Sequence, residues 1–375
     1  MLFTVLLFKE IAMSALPRVT LFRKIRPSSA LLLATALLLG ACATQPAQGS
    51  PSLTPPAQTP PPQTPPTQTP PGQTPATILT PTRLVFSSAK TTLSLPQTLT
   101  LVNSGTQSLG VSAVSIAGPD AAAFVLDAPL SLPLALEAGK TLTLALRFGP
   151  QDKVGVLNAT LRLETADRPL TLNLAGLSAG GLEGENEPPL AQVVQALGYG
   201  TDVGGSGLLL GTSPSRLGQE VNAQMFRKAG TGPVTLTPVA RYSPAGPLEF
   251  GLFTLSGGTP ALRPVGEIDA QQFQTLNPAF RQSGVSFDPG SENFGVYTGA
   301  TDYSRDTDYS LDSLNASPKK DFNPPVLHAM RVYPLFDEAG ARMPGYLVAV
   351  EASSNGDYQD AVFMLNGAEP APTAP

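Results

Sequence analysis

The strongest pattern in the chain is a one-for-one exchange of apolar and polar residues between Thr80 and Leu177, the period of strands with one buried face. Leu142, Leu144, Leu146 and Phe148 fall on one side of such a strand, with Thr141, Thr143, Ala145 and Arg147 on the other. Leu157, Ala159, Leu161 and Leu163 repeat it against Asn158, Thr160, Arg162 and Glu164, and Leu170, Leu172 and Leu174 repeat it again. Asn103-Ser104-Gly105, Ala138-Gly139 and Ala166-Asp167 stand between the runs, where a chain reverses. The pattern predicts an immunoglobulin-like β-sandwich over 80–177, without an inter-sheet disulfide because the sequence has 1 Cys.

The periodicity then changes. Residues 178–188 are rich in Gly and Glu and read as a linker. Leu190, Val193, Val194 and Leu197 share one face of a short predicted helix that stops at Gly198. Apolar runs follow at Val234 to Arg241, Phe250 to Leu255, Phe294 to Tyr297, Met330 to Leu335, Tyr346 to Val350 and Ala361 to Leu365. They predict a larger β-sandwich or jelly-roll-like domain over 189–367, with 368–375 as a tail. The fold class expected is all-β.

Ahead of both units, residues 43–77 repeat Gln-Thr-Pro-Pro with almost no apolar side chains, so they cannot build a core. Such a segment favours polyproline II at about 3.1 Å per residue, a spacer of up to roughly 100 Å. Before it come Arg18, Arg23, Lys24 and Arg26, the apolar run Ala30 to Leu39, and then Leu39-Gly40-Ala41-Cys42. This order resembles bacterial lipoprotein signals. The resemblance implies a signal peptide over 1–41, with Met13 beginning a more ordinary signal and read as the initiator. It further implies acylation of Cys42, the palmitate-type chains holding the protein to a membrane, and a lipidated linker over 42–79. The location implied is the cell envelope, and the outer membrane where the cell has one, since Ala43 follows the cysteine. The apolar run is about 12 residues, against roughly 20 for a spanning helix.

Charge narrows the partners. Of 23 basic and 28 acidic side chains, five and one precede Cys42, leaving 18 and 27 and a net charge near −9. Nucleic acid is therefore not an expected partner, because its binding depends on Lys and Arg neutralising phosphates.

Several segments carry a family likeness. Leu99 to Gly105, Ile116-Ala117-Gly118-Pro119-Asp120 through Phe124, and Leu136-Glu137-Ala138-Gly139-Lys140 through Arg147-Phe148-Gly149-Pro150 resemble choice-of-anchor D repeats, similar to the hydin-type immunoglobulin-like domains. That resemblance implies a spacer or interaction module and brings no catalytic residues with it. Near the C-terminus, Glu351 with Asp357-Tyr358-Gln359-Asp360 and the run to Leu365 are similar to an uncharacterised domain family of exported bacterial proteins. That family has an acidic turn before a strand, and no activity comes with it.

Two acidic stretches offer chemistry. Asp302, Asp306, Asp308 and Asp312 lie within eleven positions, and Glu351, Asp357 and Asp360 within ten. Clustered oxygen donors suit Ca²⁺, which takes six to eight oxygens, so both sets are candidate metal ligands. Neither matches an EF-hand loop, and the competing reading is a set of solvated or backbone-capping turns. Catalysis has less to build on. His328 is the one histidine, and Gly204-Gly205-Ser206-Gly207 lacks the Lys-Ser/Thr of a phosphate loop. The reading is a non-catalytic envelope lipoprotein with a structural or interaction role, no cofactor beyond Ca²⁺, and the membrane, envelope proteins or surface polysaccharide as partners. Two alternatives stay open: a carbohydrate-binding or adhesive module, Ca²⁺-dependent in one form, and a glycoside hydrolase using paired carboxylates.

Overall fold

The computed structural model describes residues 77–282, 286–316 and 324–371. The signal, Cys42 and most of the Pro-rich run lie outside these residues.

The first nine strands are β1 (Thr77–Thr80), β2 (Arg83–Ala89), β3 (Gln97–Asn103), β4 (Leu109–Ala117), β5 (Phe124–Leu126), β6 (Leu134–Leu136), β7 (Thr141–Phe148), β8 (Gly155–Thr165) and β9 (Leu170–Ala179). One sheet runs β1-β3-β7-β5 and the other β2-β9-β8-β4-β6. All neighbours are antiparallel except β2, which lies parallel to β9. Consecutive strands β1 and β2 belong to different sheets, so the chain crosses from one sheet to the other between Thr80 and Arg83. The expected immunoglobulin-like sandwich is present. Its core is the predicted alternating set, with Leu144, Leu146, Phe148, Leu157, Leu161, Leu163, Leu172 and Leu174 all buried. Each such side chain contributes roughly 1.5–3 kcal/mol by leaving water. Phe86, Phe124 and Phe148 meet at its centre with ring centroids 5.2 to 6.3 Å apart.

Alternation ends at Leu174. From there Ala175, Leu177, Ser178 and Ala179 are buried whichever way they point. The reason is α1 (Leu190–Leu197), which packs on β8 and β9 through Leu190, Val193, Val194 and Ala196. Gly198 ends that helix as predicted, at φ 88°, a left-handed conformation that glycine adopts without penalty.

The remaining strands are β10 (Phe226–Lys228), β11 (Val234–Arg241), β12 (Leu248–Ser256), β13 (Thr259–Ile268), β14 (Thr275–Leu276), β15 (Phe280–Gln282), β16 (Ser286–Phe287), β17 (Gly295–Thr298), β18 (Asp308–Tyr309), β19 (Met330–Phe336), β20 (Arg342–Val350), β21 (Ala361–Asn366) and β22 (Ala368–Pro370), with α2 at Asp312–Asn315. They form a second sandwich. One sheet is β14-β11-β21-β20-β19, joined at β11 by β16, and the other is β15-β13-β12-β17-β18. β10 and β22 pair beside them.

The β11-β21-β20-β19 sheet is buried on both faces. Leu236, Met330, Val332, Val348, Val350, Phe363 and Leu365 face the partner sheet. Tyr333, Leu335, Leu347, Ala349 and Val362 face the other way, onto α1 and Leu177 of the first sandwich. This is why β21 reads as an unbroken apolar run. The two sandwiches therefore share a core. Hydrogen bonds add to it where the Ser87 hydroxyl accepts the Leu276 N–H at 3.0 Å and meets the Thr275 hydroxyl at 3.0 Å.

Candidate functional site

The doubly buried sheet carries two polar networks beside its apolar outer face, both made by side chains at the ends of β19 and β20. β20 ends at Val350, and the next ten residues turn back into β21. The turn is organised by Glu351. Its Oε2 accepts the N–H groups of Gly356 at 2.7 Å, Asp357 at 2.8 Å and Tyr358 at 3.4 Å, while Oε1 accepts that of Ser353 at 3.1 Å. Converging N–H groups of this kind make an anion-holding nest. Gly356 sits at φ 83° with the Gly211 backbone so close that an added Cβ would lie 2.6 Å from its Cα. No other residue fits there.

Three carboxylates gather in this turn. Glu351, Asp357 and Asp360 are buried and each offers an oxygen within 4.8 Å of the others. Asp360 Oδ2 accepts the Ala352 N–H at 2.7 Å, and Asp357 Oδ2 accepts from Asn355 at 2.6 Å and from the Gln359 amide at 3.2 Å. A fourth carboxylate arrives from the linker. Glu187 accepts from Gln359 Nε2 at 3.2 Å and from the Gln274 amide. Burial, opposed only in part by those amide hydrogen bonds, raises Glu187 to about 7. Burial and then the Asp357 charge raise Glu351 to about 7, against the pull of its backbone donors. Asp360 is pushed well above the usual range by burial, then by Glu351 and Asp357.

The second network surrounds His328. Its Nδ1 faces both Asp312 oxygens at 3.1 Å and its Nε2 faces Glu220 Oε1 at 2.8 Å. Despite burial, those two carboxylates raise the imidazole to about 9, so it is an imidazolium donating from both nitrogens. Glu220 Oε2 accepts from Arg331 at 2.6 Å, and Arg331 also donates to the carbonyls of Gly211, Ser213 and Ser215. The guanidinium lies 4.5 Å from the Tyr358 ring centre, and the Tyr358 hydroxyl donates to the His328 carbonyl at 2.6 Å. With both ring nitrogens engaged, His328 is a structural cation here.

The predicted ligand sets differ in where they fall. Glu351, Asp357 and Asp360 are brought together. Among the described residues no such group forms from Asp302, Asp306, Asp308 and Asp312: Asp302 is exposed, Asp308 is buried in β18, and Asp312 faces His328. Glu187 and Gln359 belong to the cluster and were not candidates from the sequence, since Glu187 sits in the linker and Gln359 carries no charge. Tyr242 and Tyr358 are core residues at 1% and 0% exposure.

These groups set a pH dependence. Glu187, Glu351 and His328 each hold a proton more tightly in the folded chain than their ordinary values of 4.5, 4.5 and 6.5 allow. The stabilisation from each is complete below its ordinary value and is lost as pH rises through its folded value. In the absence of metal, urea-unfolding stability should therefore decline from about pH 5 to pH 9, in two stages near 7 and near 9. A flat profile across pH 5–9 would show that these side chains titrate normally.

No family model matches the chain, and no curated protein matches it. Among solved structures it is similar to the periplasmic chaperone SfaE, at 12% identity, covering 71% of this chain and 95% of that one with a TM-score of 0.25. It is also similar to the Escherichia coli chaperone DraB, at 13% identity, 62% and 92% coverage and a TM-score of 0.23. PapD-like domain 7 of human CEP192 matches at 16% identity over 30% of this chain and 92% of that one, with a TM-score of 0.23. These similarities are weak, and the all-β, immunoglobulin-like architecture stands on the chain's own geometry.

Proposed function

We propose that this protein is a lipid-anchored envelope protein with a non-catalytic structural or interaction role, carrying a rigid pair of β-sandwiches on a Pro-rich spacer. The observation that supports this reading most is the shared core. A sheet buried on both faces, with Leu177 and α1 packed against it, fixes one sandwich on the other and suits a part that bears load or presents a fixed surface. The chemistry of the described residues fits the same role. The histidine is engaged at both nitrogens, and the buried carboxylates are turned into backbone and amide contacts. The choice-of-anchor D resemblance of the first sandwich supports a spacer or interaction module, with envelope proteins or surface polysaccharide as the class of partner.

Anchoring rests on Leu39-Gly40-Ala41-Cys42, and among the described residues no helix is long and apolar enough to cross a membrane. One acyl chain binds a bilayer only marginally, whereas two or three hold firmly. Wild-type protein is expected in the membrane fraction with incorporated labelled fatty acid, and Cys42→Ser should abolish the label and release the chain or leave its signal uncleaved. Equal labelling of the two forms would remove the anchor from this reading.

A further inference from the structure

The carboxylate cluster contains acceptors that nothing supplies. Asp357 Oδ1 and Gln359 Oε1 are buried and have no hydrogen-bond partner among the described residues, although Asp357 is 1% exposed and Gln359 is 0% exposed. The Gln359 amide turns its Nε2 toward Asp357 and Glu187 and donates to both, so the nitrogen end of the amide faces these acids. A buried acceptor with no partner costs about 1–3 kcal/mol, and Asp357 Oδ1, inside the three-carboxylate group, points to a missing electropositive occupant.

Charge gives the same answer. The neighbouring network balances itself, with Arg331 and His328 against Glu220 and Asp312. The cluster does not. Glu187, Glu351, Asp357 and Asp360 are four acids, and Arg241, whose charge acts on Asp360, gives its own N–H groups to Ser243 Oγ and the carbonyls of Pro244 and Gly246.

We propose that Glu351, Asp357 and Asp360 hold one Ca²⁺ that locks the 351–360 turn and, through Gln359 and Glu187, the linker between the sandwiches. Three oxygens within 4.8 Å of one another share a centre no more than about 2.8 Å away, so a shift of a few tenths of an ångström brings all three to the 2.3–2.6 Å of Ca²⁺. A donor set of oxygens alone, without His or Cys, is unsuited to Zn²⁺. Mg²⁺ demands a tighter octahedron at 2.0–2.1 Å and keeps most of its water. Glu187 contributes charge and position, since it lies outside the group of three whose oxygens converge and bonds to Gln274 and Gln359.

The test uses the full chain in detergent micelles, stripped with chelator and titrated with CaCl₂ or MgCl₂. At about tenfold excess over a dissociation constant of order 10⁻⁴ to 10⁻³ M, Ca²⁺ should raise the melting temperature by roughly 3–8 °C, with Mg²⁺ giving far less. Asp357→Asn should weaken Ca²⁺ binding at least tenfold in calorimetry, and Asp302→Asn, in the exposed loop, should leave it unchanged. If Asp357→Asn fails to fold, Asp360→Asn replaces it, with the same loss expected. Identical melting in Ca²⁺ and chelator would overturn the proposal in favour of acids that share protons. A calcium response kept by Asp357→Asn and lost in Asp302→Asn would overturn it by moving the site.

Discussion

Arg331→Ala is expected to cost about 3–5 kcal/mol, the loss typical of breaking a buried ion pair from one side. The side chain is 0% exposed, and removing it strands Glu220, itself buried, without the donor 2.6 Å away. The same guanidinium holds three carbonyls of the segment between Gly211 and Ser215, which has no strand neighbours of its own. Stability and protection of that segment should therefore fall together, with a drop in melting temperature on the order of 10 °C and new protease cuts near 211–215. Arg331→Lys keeps the charge but lacks the fork that reaches four acceptors, so it should recover only part of the loss. If Arg331→Ala lies within about 1 kcal/mol of wild type, the pair behaves as a solvated surface contact and its burial is wrong.

Gly176→Ala is expected to be nearly as harmful for an unrelated reason. A Cβ at this position would stand 2.2 Å from Phe148 Cε2 and 2.4 Å from Cδ2, inside the ring that fills the centre of the first sandwich. Overpacking of this kind costs about 1–3 kcal/mol or more, because Phe148 is held by Phe86 and Phe124 and cannot swing away. Phe148→Leu, destabilising alone, should recover part of the loss when combined with Gly176→Ala, giving a non-additive cycle in chemical denaturation. Strict additivity would mean that the two positions do not touch.

The contrast between these positions shows what the sequence carries. Strands with one wet face announce themselves, so Leu142 to Phe148 and Leu157 to Leu163 are legible to the residue. Strands wet on neither face are legible only as apolar runs, and Ala361 to Leu365 gives no hint that Val362 and Phe363 serve different cores. The helix was legible from its apolar spacing and Gly198. β13 was not, because Pro260 and Pro264 interrupt it, although Gly257-Gly258, at φ 58° and 82°, mark the tight hairpin that pairs it with β12. The acidic turn was visible in Glu351, Asp357 and Asp360 since all three are local. Glu187 comes from more than 160 positions away, and only the folded chain places it on Gln359.

The placement of β21 has a consequence for how the protein reaches its final form. Among the described residues this strand is the twenty-first of 22, yet it lies in the sheet between β11 and β20, with both antiparallel to it. A chain that folds as it emerges from its N-terminal end can complete the first sandwich early. Its Leu177 and α1 surface then stays open to water until β21 slots in. Over that interval the nascent protein presents an apolar patch and two unpaired strand edges, the features that chaperones shield and proteases exploit. A lesion in residues 361–366 would therefore prolong exposure of a surface nearly two hundred positions upstream, and its phenotype would be slow maturation of the whole molecule.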